Sequence, residues 1–229
     1  MTQTPNIIAI ETATSACSVA LRCADQIFSR SEIGNNIHSK VLLGMVASVL
    51  SEAGIDAQSI DAVTVGQGPG SFTGLRIGIG VAQGLAYGAT CPMIGISSLD
   101  ALAMQSTSDG MVLAGIDARM GEIYWAEYAK NGDELRRLGE VQVSQPREIQ
   151  PKANTNCVFV GNAWSEYKNE LSSDLLEKAN HLEQVIYPDA TALLELSLPK
   201  YNSNDWVSAL DFLPEYVRNN VAKKPVKQI

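Results

Sequence analysis

The sequence predicts an α/β protein built as two related lobes, each a mixed sheet flanked by helices. Two observations carry this expectation. Buried-strand text alternates with helix-length amphipathic text along the 229 residues, and the pattern restarts after the polar stretch "STSDG" at 106–110. In each half three strands come first and helices then alternate with strands, an order that yields a mixed sheet with helices on its faces. With 45% hydrophobic and 18% charged residues, the chain has enough apolar text for a sizeable core.

The first half begins with "NIIAIE", a short buried strand, then a turn "TATSA" and a second strand "CSVALRC". "DQIFSRSEI" supplies the third strand, and residues 37–53 read as a helix. "AVTVG" at 62–66 is the next strand, "FTGLRIGIGVAQGLAYG" a second helix, and "CPMIGIS" a strand opened by Pro92. A helical segment "SLDALAMQ" closes this half.

The second half repeats the opening: "MVLAGIDARMGEIYWAEYA" is a buried strand, an acidic residue, a turn and a strand. Aligning Glu11 with Asp117 sets Ile10 on Ile116, Val19 on Trp125 and Ala20 on Ala126. "ELRRLGEVQV" reads as its third strand, "CVFVG" as a later one, and "NAWSEYKNEL" and "PDATALLELSL" as helices. The division expected is 1–106 and 107–229, with a C-terminal segment free to pack back on the first lobe.

Composition excludes several functions. A net charge of −8 argues against strong binding of nucleic acid by this chain alone, because counterion release rewards Lys and Arg. No basic n-region precedes an apolar run at the start, and no run of about 18 apolar residues is present, so a cytoplasmic protein is expected. Cys17, Cys23, Cys91 and Cys157 form no CxxC pair and read as reduced core thiols.

Catalytic motifs are scarce. His38 and His181 are far apart, and Leu42 stands where a zinc helix would carry its second imidazole. There is no GxSxG elbow, and no cysteine has a neighbouring histidine. The loop "GQGPGSFTGLRIGIG" at 66–80 lacks the Lys of a phosphate-cradling GxxxxGK[ST] and fails the GxGxxG spacing. It reads as a tight strand-to-helix connection, with Ser71 and Thr73 as candidate caps, in preference to an anion site.

Two features point to a protein interface instead. The helix after the loop carries Gly74, Gly78, Gly80, Gly84 and Gly88. Glycine costs about 1 kcal/mol in a helix relative to alanine, so each suggests a close approach, by the chain's own sheet or by a partner helix. In the first helix Val41, Leu42, Leu43, Met45, Val46, Val49 and Leu50 spread over about 200°, where one core stripe needs about 100°. One apolar face is left over, the mark of a docking surface. The last constellation is Glu11 and Asp117, each ending a buried strand at a hairpin, positioned to face one cleft between lobes.

"IETATSACSVAL", "IHSKVLLGMV", "GPGSFTGLRIGIGVAQGLA", "GIDARMGEIYWAEY" and "LPEYVR" together resemble the TsaB (YeaZ) family of bacterial tRNA threonylcarbamoyladenosine biosynthesis proteins, over essentially the whole chain. The resemblance implies a duplicated actin-like ATPase (ribonuclease H-like) fold. It implies a non-catalytic subunit that scaffolds and activates the TsaD transferase, together with the ATPase TsaE, in N6-threonylcarbamoyladenosine formation. Implied partners are TsaD as a heterodimer, TsaE, a second copy in isolation, and tRNA only through the complex.

Departures from related patterns refine this. TsaD-type glycoprotease-like relatives carry an HxxxH pair, of which only His38 survives here, so no metal site is expected. Lys40, Gly44 and Gln83 stand where the family usually has Glu, Pro and often Lys, and Glu11 replaces the more usual Asp. Glu11, Thr12, Asp117 and Arg119 are thus expected as a vestigial nucleotide cleft, with ATP and Mg²⁺ a matter for the whole complex. The expected interface is His38, Val41, Leu42, Met45, Val46 and Val49 on the first helix, with Gly74, Gly78, Ala82 and Gly84 on the second. The rival readings are an ATP-dependent phosphotransferase using Glu11 and Asp117 around Mg²⁺, and a metallopeptidase.

Overall fold

Apolar residues at every position of Ile7–Glu11 but the last make a strand buried on both faces, β1, around which the first sheet is assembled. Ile8 and Ile10 enter one core, Ile7 and Ala9 the other. The structure is a computed structural model and describes residues 4–153, 155–215 and 217. β2 (Ala16–Cys23) folds back antiparallel on β1, and β3 (Gln26–Ile33) follows as a largely exposed edge. α1 (His38–Ala53) ends at Gly54, whose φ of 70° is the left-handed conformation that closes a helix. β4 (Ala62–Gly68) and β5 (Met93–Ser97) join in parallel, separated by α2 (Phe72–Ala89), and α3 (Ser98–Met104) leads out. The strand order is β3-β2-β1-β4-β5.

The second half contains β6 (Gly110–Arg119), β7 (Glu122–Asn131), β8 (Glu134–Arg137), β9 (Gln142–Ser144) and β10 (Cys157–Val160). α4 (Ala163–Glu166), α5 (Ser173–Glu177), β11 (Ala179–Leu182) and α6 (Ala190–Asn202) complete it. Its order, β11-β10-β6-β7-β8, is the first sheet's order read from the other end, with β6 in the place of β1. The directions agree too: β7 is antiparallel to β6 and β8, while β10 is parallel to β6 and β11. Topology therefore carries the duplication far better than residue identity does.

Three details differ from the sequence expectation. Ile10 pairs with Val19, but Ile116 pairs with Tyr124, so Trp125 is not the counterpart of Val19. The second turn is one residue tighter, and an offset of one sends a side chain to the opposite face. The expected strand 134–143 is two strands, β8 and β9, both lying on β7, with Gly139 at φ 97° in the break. The expected helix at 162–171 is one turn of α4 and a 3-10 turn. It is cut short where Trp164 packs over Gly115 and Tyr167 turns out to reach Asp117.

The first sheet is covered by α1 and α2 on one face and by α3 and α6 on the other. α6 is capped by Asp189, whose Oδ1 accepts from Thr191 N at 2.8 Å, and Ala190 N donates to Ser18 Oγ at 2.9 Å. Its Ala190, Leu193 and Leu194 bury against Ile7, Ala9 and Ile94, so a helix from beyond residue 107 completes the first core. The chain then runs along the edge of β5. Met93 and Val207 exchange two backbone hydrogen bonds (2.8 and 3.0 Å), Phe212 enters the core, and Glu215 N donates to Gln67 O at 3.0 Å. Tyr216 and Arg218 of "LPEYVR" and the basic tail "VAKKPVKQI" lie outside the described residues.

Candidate functional site

The turns after β1 and β6 do face one cleft, a cavity of about 470 Å³. Ala13 and Thr14 line it from the first half together with the start of α2, and Asp117, Arg119 and Asn162 line it from the second. The four residues expected there divide into two pairs.

Glu11 and Thr12 are fully buried and do not line the cavity, which corrects the expectation. Glu11 Oε1 accepts from Ala13 N at 2.6 Å and Oε2 from the Ser98 hydroxyl at 2.8 Å. The carboxyl lies against Gly66, where any added Cβ would overlap it. Burial pushes its pKa up to about 7, against the opposing pull of the Ala13 N–H and the Ser98 hydroxyl. Thr12 Oγ1 donates to Gly74 O at 2.9 Å, tying the β1 turn to the first turn of α2. Both side chains thus fasten the loop instead of presenting it.

Asp117 and Arg119 do reach the cleft. Asp117 Oδ1 accepts from Arg119 N (2.7 Å) and from the Tyr167 hydroxyl (2.8 Å), and Oδ2 pairs with Arg119 Nη1 at 3.2 Å. Burial and the bond to Asp117 push the Tyr167 phenol up to about 12. Nothing in the sequence marked Tyr167, which lies 50 residues from its partner. The hairpin tip is held open by Arg119, Met120 and Gly121, all with φ between 59° and 76°. The loop at 66–80 starts α2 by the expected cap, Ser71 Oγ accepting from Gly74 N at 3.2 Å.

The helix pair gives the second surface, and here most of the expected residues are corrected. Leu42, Met45, Val46, Val49 and Ala82 are buried in the chain's own core. His38 is buried with Nε2 3.3 Å from Ala16 O. Gly74 and Gly78 are buried because Thr12 presses on them; a Cβ at either would overlap Thr12 O or Oγ1. Val41 is half-buried and Gly84 is exposed. The 200° arc covered both the core stripe and its neighbour, and spacing alone could not say which part faced inward.

What faces outward keeps Gly84 from the expected set and otherwise differs from it. On α1 it is Lys40, Leu43 (66% exposed), Gly44 and Ala47; on α2 it is Thr73, Gly80, Gly84, Gly88 and Tyr87 (71% exposed). At 100° per residue Gly80 and Gly84 stand about 160° round the helix from buried Ala82. A Cβ added at Gly44, Gly80, Gly84 or Gly88 would meet nothing within 4 Å. The chain's own packing therefore asks for no glycine at these positions. Beside them the Arg76 guanidinium lies 3.6 Å over the half-exposed Phe72 ring.

Comparison with known proteins agrees with the fold. The model of the family described as TsaD, tRNA N6-adenosine threonylcarbamoyltransferase, matches residues 29–226. The tRNA threonylcarbamoyladenosine biosynthesis protein TsaB of Haemophilus influenzae is 36% identical, covering 97% of both chains. That of Escherichia coli is 38% identical over 95% of this chain and 96% of its own. Among solved structures, YeaZ from Pseudomonas aeruginosa superposes with a TM-score of 0.86 at 33% identity, covering 93% of this chain and 100% of that one.

Proposed function

Since the chain belongs to the TsaB (YeaZ) family of tRNA threonylcarbamoyladenosine biosynthesis proteins, we propose that it serves as the non-catalytic subunit of that modification, docking on TsaD through the outward face of α1 and α2. The observation that carries the docking face is the set of four glycines with open space beyond them. Each weakens its helix by about 1 kcal/mol, a cost that a close-packed partner offsets. Helix axes pack 8–10 Å apart depending on the side chains between them, and glycine allows the near limit. If TsaD presents two equivalent helices the contact is a pseudo-symmetric four-helix arrangement. Two copies of this chain use the same face in isolation, so homodimer and complex exclude one another.

The non-catalytic reading rests on the occupied polar groups. Both oxygens of Glu11 are taken by donors within the fold, those of Asp117 by Arg119 and Tyr167, and His38 faces a backbone carbonyl. TsaE and tRNA meet the chain in the assembled complex, since its charge of −8 opposes RNA binding on its own. Among the described residues no helix is long and apolar enough to cross a membrane, and the cytoplasm is the proposed location.

The test is reconstitution with purified subunits and tRNA. Threonylcarbamoyl transfer should require TsaD and should be absent with this chain alone. Transfer by this chain without TsaD would overturn the reading.

A further inference from the structure

We infer that the docking face continues past α2 onto the segment after α6, residues 205–215, so that the partner which covers the glycine face also covers Leu210 and Leu213. This rests on the proposed docking of TsaD, and that subunit is the occupant.

The segment is fixed to the flank of α2. Gln83 Nε2 donates to Ala209 O at 3.0 Å and to Phe212 O at 3.2 Å. Val207 is bridged to Met93, Phe212 is buried, and Gln67 Nε2 donates to Glu215 Oε2 at 3.0 Å. The work of covering the β5 edge is done by Val207 and Phe212. Leu210 and Leu213 take no part in it and stand 80% and 78% exposed.

Their position is beside the glycine face. Gln83 precedes Gly84, and the two leucines follow the two carbonyls that Gln83 holds. Tyr87, one turn along the same flank of α2, is also exposed. Single exposed leucines are ordinary. Two on a segment pinned to Gln83, the neighbour of Gly84 in α2, add exposed apolar area on the flank of the bare helix face.

Area gives the argument for one partner across the whole surface. α1 has 16 residues and α2 has 18, so the pair is about 25 Å long. With axes about 10 Å apart its outward face is roughly 20 by 25 Å, or about 500 Å². A stable specific interface takes about 800 Å² from each partner. A further width of roughly 10 Å, reaching the flank where Leu210 and Leu213 stand, brings the total to about 750 Å². The glycine face alone is too small; with the strap it is the size a stable complex uses.

The experiment measures affinity of the full chain for the purified TsaD subunit of the same organism, by sedimentation and calorimetric titration. The variants are Leu210→Asp with Leu213→Asp, and separately Gly84→Glu, each with a circular-dichroism melt. The double variant should melt like the parent and bind at least tenfold more weakly. Should the melt fall, Leu210→Asn with Leu213→Asn replaces it, and the same loss is expected. Parental affinity in the strap variants with loss in Gly84→Glu would overturn the extension and leave the docking face standing. Parental affinity in both would overturn the docking reading and this inference together. Loss of self-association with TsaD affinity kept would make the occupant a second copy and overturn the inference as stated.

Discussion

Replacing Glu11 by Gln should remove a pH dependence of stability that the parent chain shows near neutrality. The carboxyl is fully buried, and burial holds its pKa at about 7 in the folded chain, above the ordinary 4.5. Between those values the folded chain keeps a proton that the unfolded chain has released. The stability this confers is complete below the unfolded value and is lost as pH rises through the folded one. At 1.36 kcal/mol per pH unit the loss is roughly 3 kcal/mol between about pH 5 and about pH 8. Glutamine preserves the geometry: its Oε1 can accept from Ala13 N–H and its amide can donate to Ser98 Oγ, the two groups that contact the carboxyl now. Urea unfolding of both proteins at the two pH values is the assay. The stability difference should move in favour of Glu11→Gln by roughly 3 kcal/mol on going to about pH 8. A difference that stays constant within about 0.5 kcal/mol would refute the reasoning, because the carboxyl would then be well solvated or fully compensated.

Paired glycine substitutions separate the two halves of the α2 ladder. Gly78→Ala, forced against Thr12 Oγ1, should lose about 1–3 kcal/mol, whereas Gly84→Ala, with open space, should gain up to about 1 kcal/mol in thermal melts of the isolated chain. Met45→Asp places a charge in the core and should cost at least about 3 kcal/mol, while Leu43→Asp should stay within about 0.5 kcal/mol; urea midpoints distinguish them. Any tRNA binding by the chain alone should disappear from gel shifts at moderate salt, as the charge of −8 requires.

β1, β2, α1, β4, α2 and β5 were legible, the strands as short runs of mostly apolar residues and the helices by apolar residues recurring at helical spacing. Contacts distant in sequence were not legible. Glu11 reads as a carboxylate at a turn, and only folding brings Ser98, 87 residues away, onto its oxygen. Asp117 meets Tyr167 in the same way. The interface suffered from an ambiguity of phase: Leu42 and Leu43 are neighbours in sequence and both belong to the apolar arc, yet one is buried and the other exposed. Glycines posed the same difficulty, since Gly78 and Gly84 look alike in sequence and answer to opposite surroundings. The stretch 134–143 after β7 misled for a different reason, as Gly139 divides text that otherwise reads as one strand into β8 and β9.

The most direct measurement is the affinity of Gly84→Glu for purified TsaD, followed by sedimentation velocity with a melt as control. The side chain enters open space in the isolated chain, so folding should be unaffected. In the complex it would be a charge buried without a partner, and the account predicts that the heterodimer, and the homodimer with it, is lost at concentrations where the parent is fully associated. A folded Gly84→Glu chain that binds TsaD with parental affinity would contradict the account.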